Sequence, residues 1–198
     1  MMKNPNEAEA RPSIVTIEQE LSRQRRADWR RKITASALRV TLIAATAVVL
    51  VSNLALPVFN VLGSNMDPTL KDGDMIVSIK KAVFNRGDII TFNYNGKILI
   101  KRVIATGGDV VDIDGDGTVS VNGLVLDEPY LPEEGKGAGK CDLELPFTVP
   151  AKHLFIMGDN RTASLDSRVS MIGTVGPEQI LGKAAFRLWP PGAFGLIK

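Results

Sequence analysis

The sequence predicts a mainly β domain behind one N-terminal helix long and apolar enough to cross a membrane. Two observations carry that prediction. From Val40 to Met66, 27 residues pass without a charged side chain, and about 20 residues at a rise of about 1.5 Å each suffice to span a bilayer core. After Met66 the pattern changes to short apolar runs broken by Gly, Asp, Asn and Pro, which is how strands joined by turns read.

The charge distribution orients the first element. Residues 1–40 carry a net +4 and residues 41–198 a net −2, within a chain of 198 residues and net charge +2. The main domain therefore offers no basic face for nucleic acid. Arg23, Arg25, Arg26, Arg30, Arg31, Lys32 and Arg39 crowd the start of the apolar run, and by the positive-inside rule they stay in the cytoplasm. A cleavable leader has a shorter apolar core and a short basic start, so both flanks are wrong for one. A buried core helix of this length would carry a polar face, and this run has none. The expected organisation is a basic cytoplasmic tail over 1–38, a transmembrane anchor over 39–60 and an extracytoplasmic β domain over 61–198. Residues 1–22 read as a flexible part of that tail, and Pro57 marks the helix end. The chain is thus placed in the cell membrane with a single pass.

In the outer domain, strands are expected over 74–79, 88–94, 97–105, 109–113, 118–123, 153–158 and 183–189, with "NRGD", "NYNG", "TGGD" and "DGDG" as turns. The spacing favours strands closing on one another rather than alternating βα units. Residues 131–147 lack periodicity and read as a long exposed loop. "DIDGDG" at 112–117 begins like a calcium loop, but its twelfth position is Gly123 where a carboxylate is needed, so it reads as a turn and no metal or other cofactor is assigned. Cys141 is the single cysteine and His153 the single histidine, which removes internal disulfides and multi-His metal sites from consideration. His153 reads as structural, since no Gly-x-Ser-x-Gly elbow accompanies it.

Lys101 is the candidate base. A lysine amine ordinarily titrates near 10.4, and only burial among apolar groups brings it into a range where it can take a hydroxyl proton. Alternation in β structure puts Leu99 and Val103 on its face and turns Arg102 away. A solvated strand lysine fits the same local pattern. Downstream, "GDNRTASLDSR" at 158–168 is dense in small hydrogen-bonding residues and alternating charges. It reads as a self-bonded loop able to orient a neighbouring side chain.

Three blocks in this order resemble bacterial type I signal peptidases, membrane-anchored Ser/Lys proteases that remove signal peptides from exported preproteins. "NMDPTL" (65–70) is similar to the family's Ser-Met-x-Pro-Thr-Leu except at its first position. "KRVIATGGD" (101–109) is similar to its lysine block, and "GDNRTASLDSR" to its third block without a gap. The weaker "V-x-V-N-G…E-P-Y" pattern is present from Val119 to Tyr130. The resemblance implies an all-β catalytic domain, with Lys101 as general base and Ser164 orienting it. It implies Asp166 and Arg168 as a supporting ion pair, with Asp159 and Arg161 in the same loop. It also implies Gly63, Met66 and Pro68 in the loop that forms the oxyanion and substrate site. Signal peptides ending in Ala-x-Ala would be the partners, bound by strand addition beside membrane lipid.

One position departs from the family pattern. The nucleophilic serine falls on Asn65, whose carboxamide has no proton that a neutral amine could remove to make a useful nucleophile. Ser64 is the candidate substitute nucleophile, but in an extended segment its side chain points to the other face. Asn65 is expected to fill the seat, within reach of a hydrogen bond to Lys101, and the chain to be inactive as it stands. The alternative is a membrane-anchored paralogue that binds signal segments or peptidase partners without cleaving. A self-cleaving Ser/Lys repressor would be soluble with a helical DNA-binding domain, which the apolar run contradicts.

Overall fold

A computed structural model describes residues 14–80, 83–132 and 139–197. The first 51 residues and Ser52–Lys198 form two units. Helix α1 runs Ile14–Ala55 and contains the span Trp29–Leu50, with a mean hydropathy of 1.9. The flexible tail expected over residues 1–22 is therefore helical from Ile14 onward, and residues 1–13 lie outside the described residues. Between Ile14 and Arg23 the sequence holds Glu18, Gln19, Glu20 and Leu21 and neither Gly nor Pro, a composition that favours helix. The helix stops two residues before Pro57, whose ring disfavours helical backbone in the residue preceding it. Val58–Asn60 is already strand β1, so the outer sheet begins inside the stretch expected to belong to the anchor.

The second unit is built from eleven described strands in two sheets. β1 is followed by β2 (Met75–Ile79), β3 (Ile89–Tyr94), β4 (Lys97–Thr106), β5 (Val110–Ile113), β6 (Val119–Val121) and β7 (Leu124–Val125). Then come β8 (Phe147–Thr148), β9 (Leu154–Met157), β10 (Ile180–Trp189) and β11 (Gly195–Leu196). The larger sheet has the order β1-β2-β10-β3-β4-β9, with β11 on β10, and the smaller the order β7-β6-β5-β8. All the pairings are antiparallel. The expected strands are all present; β1, β7, β8 and β11 are additional. "DIDGDG" does form the turn between β5 and β6, closed by the Gly117 N–H on the Asp114 carbonyl at 2.8 Å. In the 131–147 loop, Leu131 is buried rather than exposed, and 133–138 lie outside the described residues.

Strand β4 explains why the site sits where it does. Its residues Ile100 through Ala105 are all buried, because three apolar clusters meet on it. Ile100 packs with Val61, Met66, Leu70 and Ile76, Val103 with Ile90, Phe92 and Ile156, and Ile104 with Val111, Val121 and Phe155. β3 pairs with β4 along its whole first half, Lys97 to Arg102, while β9 pairs with it only from Arg102 onward. Among the described residues, one backbone edge of residues 97–101 is thereby left without a strand partner. β1 is likewise paired on one side only, to β2. Open edges of this kind can take an added strand.

Candidate active site

The 63–70 segment is a bend followed by a tight turn. Met66 and Leu70 are buried in the cluster that also holds Ile100, and the Leu70 N–H donates to the Met66 carbonyl at 2.8 Å. Gly63 opens the bend at φ +77°, a left-handed conformation that a side chain would disfavour, and its N–H donates to Asp72 Oδ1 at 2.7 Å. These anchors leave Asn65 half-buried and facing a groove of about 630 Å³. Val58, Phe59 and Leu62 line one side of it, and Ile98, Leu99 and Lys101 the other. Among the described residues no acceptor takes the Asn65 N–H.

Lys101 is 2% exposed. The solvated lysine that local alternation allows is not what the structure holds, because Ile90 of β3 pairs opposite it and Ser164, 63 positions downstream, meets its amine. Burial lowers the amine to about 8, outweighing the nearby Asp166 carboxylate, which acts in the opposite direction. Its Nζ donates to Ser164 Oγ at 2.8 Å, and Ser164 Oγ donates to Asp166 Oδ2 at 2.7 Å. Asp166 is fully buried, and burial alone would raise its carboxyl. The Arg168 hydrogen bonds and charge, the Gly158 N–H and the Ser164 hydroxyl prevail and hold it below the ordinary carboxylate range. Arg168 Nε and Nη2 donate to its two oxygens at 2.8 and 2.9 Å, a bidentate pair. The 158–168 loop thus closes on itself and presents one hydroxyl to the Lys101 amine.

The loop is also tied to the 63–70 turn. The Asn160 N–H donates to the Asn65 carbonyl at 3.1 Å, and Thr69 Oγ1 donates to Asp159 Oδ2 at 2.5 Å. Arg102, next to Lys101 in β4, forms a bidentate pair with Asp159 at 2.8 and 2.6 Å. Arg161 donates through Nε to the Gly158 carbonyl at 3.1 Å and pairs with Glu128. Pairing of Arg102 and Glu128 with this loop is what sequence reasoning missed. Glu128 lies in the "E-P-Y" stretch, which was the only signal for it.

Gly158 packs tightly between the loop and the turn. A Cβ built there would lie 2.3 Å from Ser164 Oγ and 2.5 Å from the Asn65 carbonyl oxygen. Gly158→Ala must therefore push the turn and the loop apart. Overpacking of this kind costs about 1–3 kcal/mol, and the expected result is a thermal midpoint lowered by several degrees. An unchanged midpoint would show that the contact is slack.

The structure brings together Asn65, Met66, Lys101, Ser164, Asp166, Arg168, Asp159 and Arg161, and departs from expectation at three points. Ser64 sits in a bend rather than an extended segment, so alternation does not describe it; it is exposed and outside the groove lining. Pro68 is likewise exposed, on the turn's outer side. Among the described residues, the Lys101 amine bonds to Ser164 and not to the Asn65 carboxamide. His153 contacts the Ala151 carbonyl at 3.1 Å and lines a different pocket, with Phe84 and Pro177.

A family model described as signal peptidase, peptidase S26, matches residues 34–189. The signal peptidase I of Bacillus licheniformis is 33% identical over 164 residues, 77% of this chain and 87% of that protein. The signal peptidase IB of Staphylococcus aureus (strain COL) is 36% identical over 154 residues, 69% and 79% of the two chains. Among solved structures, a signal peptidase I from Enterococcus faecalis V583 is 32% identical, over 54% of this chain and 98% of that one, with a TM-score of 0.44. The family match reaches from α1 to the end of β10 and so takes in the groove, Lys101 and the 158–168 loop. The chain belongs to the signal peptidase family, peptidase S26.

Proposed function

We propose that this chain carries the substrate groove and base of a Ser/Lys signal peptidase I, with asparagine in the nucleophile's seat, and that it binds signal segments of exported preproteins without cleaving them. The observation that carries the proposal is the groove itself. Asn65 and the buried Lys101 share it, and it lies beside two strand edges, β1 and residues 97–101, that have no partner among the described residues. An extended peptide can add to such edges through main-chain hydrogen bonds, with small residues fitting shallow pockets.

With a serine at position 65, such a site performs acyl transfer in two steps. The neutral Lys101 amine takes the hydroxyl proton as oxygen attacks the scissile carbonyl, and the amine, now protonated, gives that proton to the leaving nitrogen. A water then repeats the transfer and hydrolyses the acyl ester. The N–H at position 65 donates to the carbonyl oxygen as it becomes negative. Ser164 and the Asp166–Arg168 pair hold the amine in place throughout. A carboxamide at position 65 leaves the donor and the base intact and removes the attacking oxygen.

In this reading α1 anchors the chain, its basic flank stays cytoplasmic, and Ser52–Lys198 works on the outer side. The test is association. Purified full-length chain in detergent, mixed with a preprotein whose signal peptide ends in Ala-x-Ala, should capture it intact, and an uncleavable signal peptide should compete. Failure to associate would contradict the reading. A second reading, a paralogue specialised for binding, gains if Asn65→Ser folds and binds yet leaves the preprotein whole.

A further inference from the structure

Glu128 and Tyr130 come from the segment that follows β7 in the smaller sheet, away from the turn and loop that face the groove. The segment is fixed at both ends. The Leu126 N–H donates to the Val119 carbonyl at 2.9 Å, and Leu131 is buried, with its N–H on the Glu128 carbonyl at 3.0 Å. From this platform the Glu128 side chain, 7% exposed, accepts from both terminal nitrogens of Arg161, whose side chain is 1% exposed. Arg161 in turn holds the two ends of the loop: its Nε donates to the Gly158 carbonyl at 3.1 Å, and its own carbonyl accepts from Arg168 Nη2 at 2.8 Å.

Tyr130 joins this pair to the second one. Its hydroxyl donates to Glu128 Oε1 at 2.7 Å, and its ring lies 3.9 Å from the Arg102 guanidinium carbon. Arg102 grips Asp159, which accepts from Thr69 of the 63–70 turn. Two buried ion pairs, one bracing the loop and one bracing the turn, therefore meet on a single tyrosine. Buried pairs of this sort contribute little net stability for their desolvation, so their presence calls for another reason.

We infer that Glu128 and Tyr130 are positioning residues that lock the 158–168 loop and the 63–70 turn into one register, so that position 65 and the Lys101 amine face each other across the groove. The inference rests on the proposed function for its meaning, but its geometry can be tested without any cleavage. Losing the Glu128 carboxylate would by itself lower the Lys101 amine. A rise in the Lys101 titration in a Glu128 variant therefore reports displacement of the loop, not a lost charge.

The experiment follows the Lys101 amine by 15N NMR across pH in the full-length chain, unmodified and as Glu128→Gln and Tyr130→Phe. The unmodified midpoint should lie at about 8. In Glu128→Gln it should move up by about one pH unit as water reaches the loosened amine, and in Tyr130→Phe by less. Unchanged midpoints in folded variants overturn the inference, and if Glu128→Gln does not fold, Tyr130→Phe alone decides. A parallel measurement places both changes on Asn65→Ser. There kcat should fall about 10- to 100-fold, since misplacement by about 1 Å costs on that order, with KM within about threefold. A raised KM at unchanged kcat would also overturn it. Failure to capture preprotein would sink the proposed function, and an inactive Asn65→Ser would favour the binding paralogue; in either case the titration still decides the positioning role.

Discussion

Asn65→Ser should turn the chain, proposed above to bind without cleaving, into one that cleaves preprotein, with a gain of at least about 10⁴-fold. Removing the nucleophile from a serine hydrolase costs about 10⁶-fold, and the discount allows for a groove that has held a larger side chain. Nothing in the backbone opposes the change. Asn65 is not among the residues with positive φ, so serine can adopt its conformation, and the turn is held by Met66 and Leu70 rather than by the carboxamide. The Asn65 carbonyl and its bond to the Asn160 N–H belong to the main chain and survive substitution. Release of mature protein, followed by gel or mass, is the measurement; absence of cleavage by a folded variant would show that more than the attacking atom is missing.

Lys101→Ala, made on that variant, should return cleavage to background, a loss of similar size. The proton has nowhere else to go: His153 lines another pocket, and Ser164 bonds to Asp166 rather than offering a base. The pH dependence carries the same information with its sign. The base is the neutral amine, so kcat/KM of Asn65→Ser should climb as pH rises through about 8, the value to which burial lowers Lys101. Between pH 7 and pH 9 the neutral fraction grows about tenfold for such a group, and the rate should follow. A flat profile, or a variant that keeps its activity without Lys101, would assign the base elsewhere.

The legible part of this molecule was what local pattern controls. Short apolar runs and their Gly/Asp/Asn turns located the strands that carry Lys101 and lead into the 158–168 loop. Two-residue strands such as Leu124–Val125 show no alternation to read, and Val58–Asn60 hides because it continues the apolar run of the anchor. The burial of Lys101 was not readable either. It depends on Ile90 opposite it in β3, and on clusters whose members come from nearly every strand of the larger sheet. Arg102 offered no sign of its partner, since Asp159 stands 57 positions downstream. The 158–168 loop was the reverse case. Its Asp166–Arg168 pair spans two positions, so the sequence places the partners beside each other before any fold is known.

The central claim is that base, scaffold and groove are complete and that one oxygen atom is absent. It is tested most directly by incubating a preprotein with the unmodified chain and with Asn65→Ser, side by side, and mapping every product by mass spectrometry. The account predicts no product from the unmodified chain and one from Asn65→Ser, cut after the small residue of Ala-x-Ala. Equal release of the same product by the unmodified chain, abolished by Ser64→Ala, would contradict it and move the nucleophile to the neighbouring serine.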